Sequence, residues 1–212
     1  MKKKSEVNPM TVDTSDMLKS IFDTFSGLDY IRPEDIPNID LYMDQVTTFM
    51  EEHLRKTRRY PEDKILTKTM INNYAKNDLL PPPTKKKYSR EHMLVLTFIY
   101  YFKNLLSITD IQALLKPLTD KYFKKGGDFG IEDIYKEVFS LEKDELAKLR
   151  KDIEEKSAIS KETFKDAPEE DRDFLQLFSF ICLLAFDTYM KKRSSRSSST
   201  LSIPEPFLPD RI

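Results

Sequence analysis

No helix can run through Leu79-Leu80-Pro81-Pro82-Pro83. Three prolines in a row remove three backbone donors, and each biases the residue before it toward extended geometry. Whatever precedes them ends near Asp78, and whatever follows starts afresh. Upstream, residues 67–77 predict a helix with Thr67 as its N-cap. At about 100° per residue, Met70, Ile71 and Tyr74 share one side, with Leu66 a turn earlier on the same stripe. Lys68, Thr69, Asn72, Asn73 and Lys76 fill an arc of roughly 140° on the other. That polar arc holds amides, a hydroxyl and ammonium groups, and no carboxylate. Asparagine can pair with base edges, and lysine and threonine with phosphates. An ordinary solvated helix face is the plainer reading of the same residues.

Downstream of the prolines, Thr84-Lys85-Lys86-Lys87-Tyr88 predicts a tight basic turn. Ser89 then caps a new helix, with Glu91 in its first turn. A helix, an apolar pair, a proline stop, a basic loop and a second helix are laid out as in a winged helix-turn-helix. The resemblance to the MerR family of bacterial regulators is specific here. That family carries a pattern close to I-R-Y-Y-E-x-x-G-L-L-x-P, then a basic wing, then a helix ending in G-[FY]-[ST]-[LI]-x-x-I-x-x-L-L. Ile71, Tyr74, Leu79, Leu80 and Pro81 stand in register, followed by Lys87-Tyr88 and by residues 107–115, Ser-Ile-Thr-Asp-Ile-Gln-Ala-Leu-Leu. More narrowly, residues 38 to 118 resemble domain-of-unknown-function family 1836, a MerR-like bacterial group. Three positions depart from the MerR pattern. Asn72 replaces an Arg that contacts DNA, Asn73 a Tyr, and Asp78 a turn Gly.

The resemblance implies a DNA reader. The helix at 67–77 enters the major groove, with Asn72 and Asn73 at base edges. Lys68, Thr69, Tyr74 and Lys76 contact the backbone or position the helix. Lys85, Lys86, Lys87 and Tyr88 form the wing on flanking phosphates, and Lys87 takes the place of a wing Arg. The run at residues 55–59 adds Arg58 and Arg59 as phosphate candidates; the plainer reading is a solvated helix end.

Charge agrees with this placement. Formal net charge is −1, but from Arg55 to Arg90 eleven lysines and arginines meet three carboxylates, a local net of +8. Residues 131–173 have the opposite bias, with nine basic and fifteen acidic residues, and would repel DNA. One cysteine, Cys182, rules out a disulfide framework and a thiolate metal site. The start, Met1-Lys2-Lys3-Lys4, has no apolar stretch behind it, so no signal peptide is expected. A cytoplasmic location follows.

The remaining elements follow from periodicity. Met17, Leu18, Ile21, Phe22 and Phe25 predict a short amphipathic helix between Ser15 or Thr14 and Gly27. Residues 31–39 are a proline-marked connector. Residues 41–54 predict a helix with Met43, Val46, Met50 and Leu54 inside. Residues 90–103 are so apolar that they predict the centre of the fold. Ser107 and Asp110 predict a capping box whose helix Pro117 checks, with a separate turn at 118–123. Three of the four glycines, in 126–130, read as a hinge. One helix is expected over 131–155, then a polar connector over 157–168. Residues 174–186 form the most apolar segment, too short for a bilayer and bracketed by Asp173 and Asp187. It is either a core helix or a homodimer seam; analogy with MerR-like regulators favours the seam. The serines from 194 and the prolines after 203 predict a disordered tail.

The expected protein is therefore mainly all-α. It has an N-terminal extension (1–37), a MerR-like winged helix-turn-helix with a small basic wing (38–125), a C-terminal helical region for dimerisation, a partner or a ligand (126–193), and a tail (194–212). Its expected function is sequence-specific transcriptional regulation, as a dimer on double-stranded DNA, with no membrane and no named effector. A helical protein-interaction module that keeps the winged fold is the alternative. No enzyme is expected. His53 and His92 lie on separate helices, away from any triad or metal spacing, and read as exposed. Four glycines make no phosphate loop, and no cofactor is called for.

Overall fold

A computed structural model describes residues 14–26, 30–58, 60–123 and 129–199. The chain divides between residues 142 and 143 into two compact units. The first is built on residues 28–142. The second joins residues 143–190 to the N-terminal helix.

In the first unit the chain makes a one-turn 3-10 helix at Pro33–Asp35 and then β1 (Leu41–Tyr42), α2 (Met43–Leu54), α3 (Lys68–Lys76), β2 (Lys87–Tyr88), α4 (Arg90–Phe102), α5 (Ile108–Tyr122) and α6 (Ile131–Ser140). β1 and β2 pair antiparallel, Leu41 opposite Tyr88 and Tyr42 opposite Lys87. α4 is the hub. Every residue from His92 to Tyr100 is buried, as an all-round apolar helix requires. It packs against α5, α6 and β2, while α2 packs against α3 and β2. At its far end Phe98 meets Tyr135 and Phe139 of α6 at 5.3 and 5.5 Å between ring centroids. The Tyr135 hydroxyl donates to the Ile31 carbonyl at 2.7 Å. Burial pushes that phenol well above its ordinary pKa, so it stays a donor. At the near end, Arg90 donates to both carboxylate oxygens of Glu132, at 2.8 and 3.3 Å, and to the Ile36 carbonyl at 3.1 Å.

The second unit holds α1 (Thr14–Ser26), α7 (Glu142–Lys161) and α8 (Glu169–Ser199) as far as Met190. The Arg150 guanidinium lies over the Phe22 ring at 4.6 Å, which ties α1 to α7. Gln176 reaches back from α8 to the Lys161 and Thr163 carbonyls, at 2.9 and 3.1 Å, and closes the α7–α8 hairpin.

Several elements depart from the sequence expectation, each for a physical reason. Residues 41–42, expected in a helix, form a strand because Tyr88 and Lys87 offer them a partner. α5 runs through Pro117 to Tyr122 without a stop. The proline deprives only Ala113 of its acceptor bond, and Ala113 is exposed to water. The single helix expected over 131–155 breaks at Leu141, and the division of the chain falls there, not at the glycines; residues 126–128 lie outside the description. α7 extends into the expected connector. α8 carries the serine run in helical form to Ser199, where Ser195 and Ser197 hydroxyls donate to the carbonyls four residues back. The expected tail from 200 on lies outside the described residues, as does Gly27. The apolar segment is thus part of a 31-residue helix. Glu169–Ser197 is, by length and composition alone, long and apolar enough to cross a membrane.

Candidate nucleic-acid interface

α3 presents the two faces drawn from its sequence. Thr67 caps it, its hydroxyl accepting from the Met70 N–H at 3.2 Å. Ile71 and Tyr74 are buried, while Lys68, Thr69, Asn72, Asn73 and Lys76 are exposed. The helix ends in a Schellman turn: Leu79 N–H donates to Tyr74 O at 2.9 Å and Asp78 N–H to Ala75 O at 3.4 Å. Asp78 takes the left-handed position of that turn at φ 52°, where glycine is the unstrained residue. Its backbone therefore does what the turn Gly does elsewhere, and Leu79 and Leu80 drop into the core.

The basic turn is a two-residue hairpin. Thr84 and Lys87 exchange both backbone hydrogen bonds, at 3.1 and 2.9 Å. The two residues between them, Lys85 and Lys86, have φ of 51° and 64°. Positive φ at both central positions marks a type I′ turn, whose favoured pair is Asn-Gly. A lysine with a Cβ is strained there by about 1 kcal/mol. The chain thus holds two ammonium groups at the hairpin tip against its own backbone preference, the kind of strain that collects at functional positions.

Contacts link hairpin and helix through the start of α2. Lys87 lies over the Tyr42 ring at 5.1 Å. Two residues on, Asp44 pairs with Lys68 at the first turn of α3. Both members of that pair are largely exposed, so the pair is weak and easily exchanged for a phosphate. Lys76, Lys85 and Lys86 are exposed without an ion-pair partner among the described residues. Lys64, not singled out from the sequence, is exposed as well. Tyr42 was also missed, because its strand is invisible without the partner strand.

Other expected site residues sit differently. Tyr74 is 7 % and Tyr88 3 % exposed. Burial raises both phenol pKa values, so each positions the surface from below and neither lies on it. Arg58 is half-buried, pairs with Glu51 and donates to the Pro61 carbonyl at 3.0 Å. Its guanidinium braces the loop before α3. Arg59 lies outside the described residues. His92 is fully buried, where an exposed residue was expected. Its Nδ1 accepts from the Ser89 N–H at 2.9 Å, which leaves the ring proton on Nε2, and its ring meets Tyr88 and Phe123 edge-on. It thus caps α4 directly behind the hairpin. His53 stays exposed and hydrogen-bonds to the Phe49 carbonyl.

A cleft of about 620 Å³ opens elsewhere on this unit, between residues 38–40, 89–91, Tyr122 and 130–132. Asp40, Glu91 and Glu132 line it, and its one arginine, Arg90, is already held by Glu132, so the cleft does not suit an anion. Burial tends to raise the Glu132 pKa, but hydrogen bonds from Arg90 and Lys136 outweigh it and hold the group below its ordinary value. Among the described residues no group of three or more His, Cys, Asp or Glu side chains is placed to hold a metal ion.

The site is thus a cationic, amide-bearing surface on a small helical domain. The chain belongs to the domain of unknown function family DUF1836, whose model matches residues 31–138, a little over half of its length. No curated protein and no solved structure matches the chain.

Proposed function

We propose that this protein is a transcriptional regulator that binds double-stranded DNA in the cytoplasm, through a MerR-like winged helix-turn-helix. In this reading α2 and α3 are the helix-turn-helix, α3 enters the major groove, and residues 84–88 are the wing. The carrying observation is the joined surface. Asn72, Asn73 and Lys76 stand exposed on α3, and the hairpin lysines are linked to that helix through Tyr42, Asp44 and Lys68. Asn72 and Asn73 read base edges, where a bidentate amide pairs with adenine. Lys68, Lys76, Lys85 and Lys86 neutralise phosphates and set the affinity. Reading two half-sites requires two copies of the chain.

The test is fluorescence anisotropy of the full chain against a random duplex pool at two salt concentrations, followed by sequencing of the bound fraction. Salt-sensitive binding is expected. Lys85→Ala with Lys86→Ala lowers the salt slope by about 2. Asn72→Ala leaves the slope unchanged and broadens the bound sequences. Absence of binding at low salt overturns the reading. The exposed apolar face of α8 supports a second one, a protein-interaction module that keeps the winged fold.

A further inference from the structure

α8 is apolar without being a core helix. Glu169–Ser197 has the length and composition of a membrane-crossing helix, yet only 6 % of its most apolar stretch is buried within the protein. One side is taken: Gln176 holds the end of α7, Phe180 is buried and Asp187 lies 3.8 Å from Lys156. The other side is open. Phe178, Ile181, Ala185 and Tyr189 step along it by three, four and four, and Lys192 and Arg196 continue the same line by three and four. Phe186 and Met190 lie beside that line and, like Tyr189, are exposed by 60 % or more. From Ile181 round to Met190 the open apolar arc spans roughly 180°. A single partner helix covers a narrow seam, whereas a lipid surface takes up the whole of such an arc.

The order of side chains along that face matches the depth of a lipid leaflet, and charge selects the lipid. Phenylalanine rings and Ile181 suit the acyl region. Tyr189 has the apolar body and polar tip that suit its boundary, and Lys191, Lys192, Arg193 and Arg196 follow at headgroup level. Clustered cations beside an apolar face are drawn to acidic headgroups. The helix does not span. Asp187 interrupts the apolar stretch, α7 with Lys156 packs on its other side, and charged groups at bilayer depth are costly. Glu169, Glu170, Asp171 and Asp173 open α8 and are repelled by an acidic surface, so the basic end seats first. We propose that α8 is a peripheral membrane anchor. Phe178, Ile181, Phe186 and Tyr189 enter the acyl boundary of an anionic phospholipid leaflet, and Lys192, Arg193 and Arg196 hold its phosphates. The anchor stands on α8 alone and is independent of DNA binding.

Flotation of the full chain with phospholipid vesicles is the test. The chain is expected to float with vesicles of equal parts phosphatidylcholine and phosphatidylglycerol, and more weakly with phosphatidylcholine alone. Lys192→Gln with Arg193→Gln lowers partitioning onto the acidic vesicles roughly 30-fold at low salt and leaves the phosphatidylcholine value unchanged. Phe178→Ser with Phe186→Ser abolishes flotation on both, with unchanged circular dichroism because both rings are exposed. The chain has no tryptophan, so Phe186→Trp is a sole reporter. Its emission shifts to the blue when acidic vesicles are added and is quenched by brominated acyl chains. Flotation that survives the loss of both rings but not Lys85→Ala with Lys86→Ala is hairpin electrostatics and overturns the anchor. A chain that floats with neither vesicle overturns it, as does Phe186→Trp emission that is already blue without vesicles, because copies of the chain pair, and does not respond to them.

Discussion

The two units use apolar side chains in opposite ways. In the first, Leu94, Ile99 and Ile71 are wholly buried, and much of the surface left around α3 and the hairpin is amide and ammonium. In the second, Phe174, Phe186 and Tyr189 are each more than 60 % exposed, while α7 presents carboxylates and lysines. One unit closes its own core and leaves charge at its surface. The other leaves its hydrophobic surface open, and a contiguous exposed patch of that kind marks an association surface. The same residue type thus closes a core in one half and lies at the surface in the other.

Truncation draws the contrast most sharply. Leu94→Ala is expected to destabilise the first unit by about 3 kcal/mol, through lost burial and the cavity left in a packed helix. Phe178→Ala is expected to change the stability of the monomer by less than about 0.5 kcal/mol, because that ring is already half in water. Urea unfolding of both variants at high dilution checks the pair. Equal losses would erase the distinction between the units.

The hairpin comes next. Replacing Lys85-Lys86 by Asn-Gly relieves two left-handed lysines and is expected to raise stability by about 1–2 kcal/mol. The same variant is expected to lose DNA affinity and about 2 from the salt slope. Thermal melts and anisotropy on one preparation separate the effects. A variant that gains stability and keeps its affinity would show that the strain serves no binding role. Asp78→Gly acts on the same principle with a smaller yield, about 1 kcal/mol, since aspartate tolerates the left-handed region better than lysine and its charge at a helix C-terminus is unfavourable.

The smallest effect concerns the Arg90–Glu132 link between α4 and α6. The folded state holds Glu132 below its ordinary value of 4.5. Its stabilisation is therefore full at neutral pH and is lost as pH falls below about that value, through the folded pKa. Glu132→Gln is expected to be less stable at pH 7 by about 1 kcal/mol or less, given its partial exposure, and the gap is expected to close as the pH is lowered. Denaturation at neutral and at acid pH tests the sign.

Much of the first unit is legible from local chemistry. Proline stops, the Thr67 and Ser107 caps and the 3.6-residue stripe of α3 act within a few residues of themselves. α3 and α4 accordingly begin and end within two residues of expectation. The exposed face of α3 was readable for the same reason. What depends on a distant partner was not. Tyr42 is a strand residue only because Lys87 lies opposite it. His92 looks like a surface residue until Tyr88 and Phe123 close over it. Arg58 is an available cation in the sequence and a brace to Glu51 in the fold. Pro117 should end a helix by local rule, yet the packing of Ile111, Leu115 and Thr119 carries α5 past it.

The sequence alone determined that a short amide-and-lysine helix ends at a proline block, that a basic turn follows, and that positive charge gathers there in a nearly neutral chain. It also determined family membership, since residues 31–138 match their family model as a string. Only the tertiary structure decided that the hairpin tip holds its two lysines in left-handed geometry, that Tyr74 and Tyr88 lie beneath the surface, and that one face of α8 remains open. The reason is the same in each case. Backbone handedness at a turn and the burial of a side chain depend on which segments meet, and a period in the sequence specifies a face without saying what will cover it.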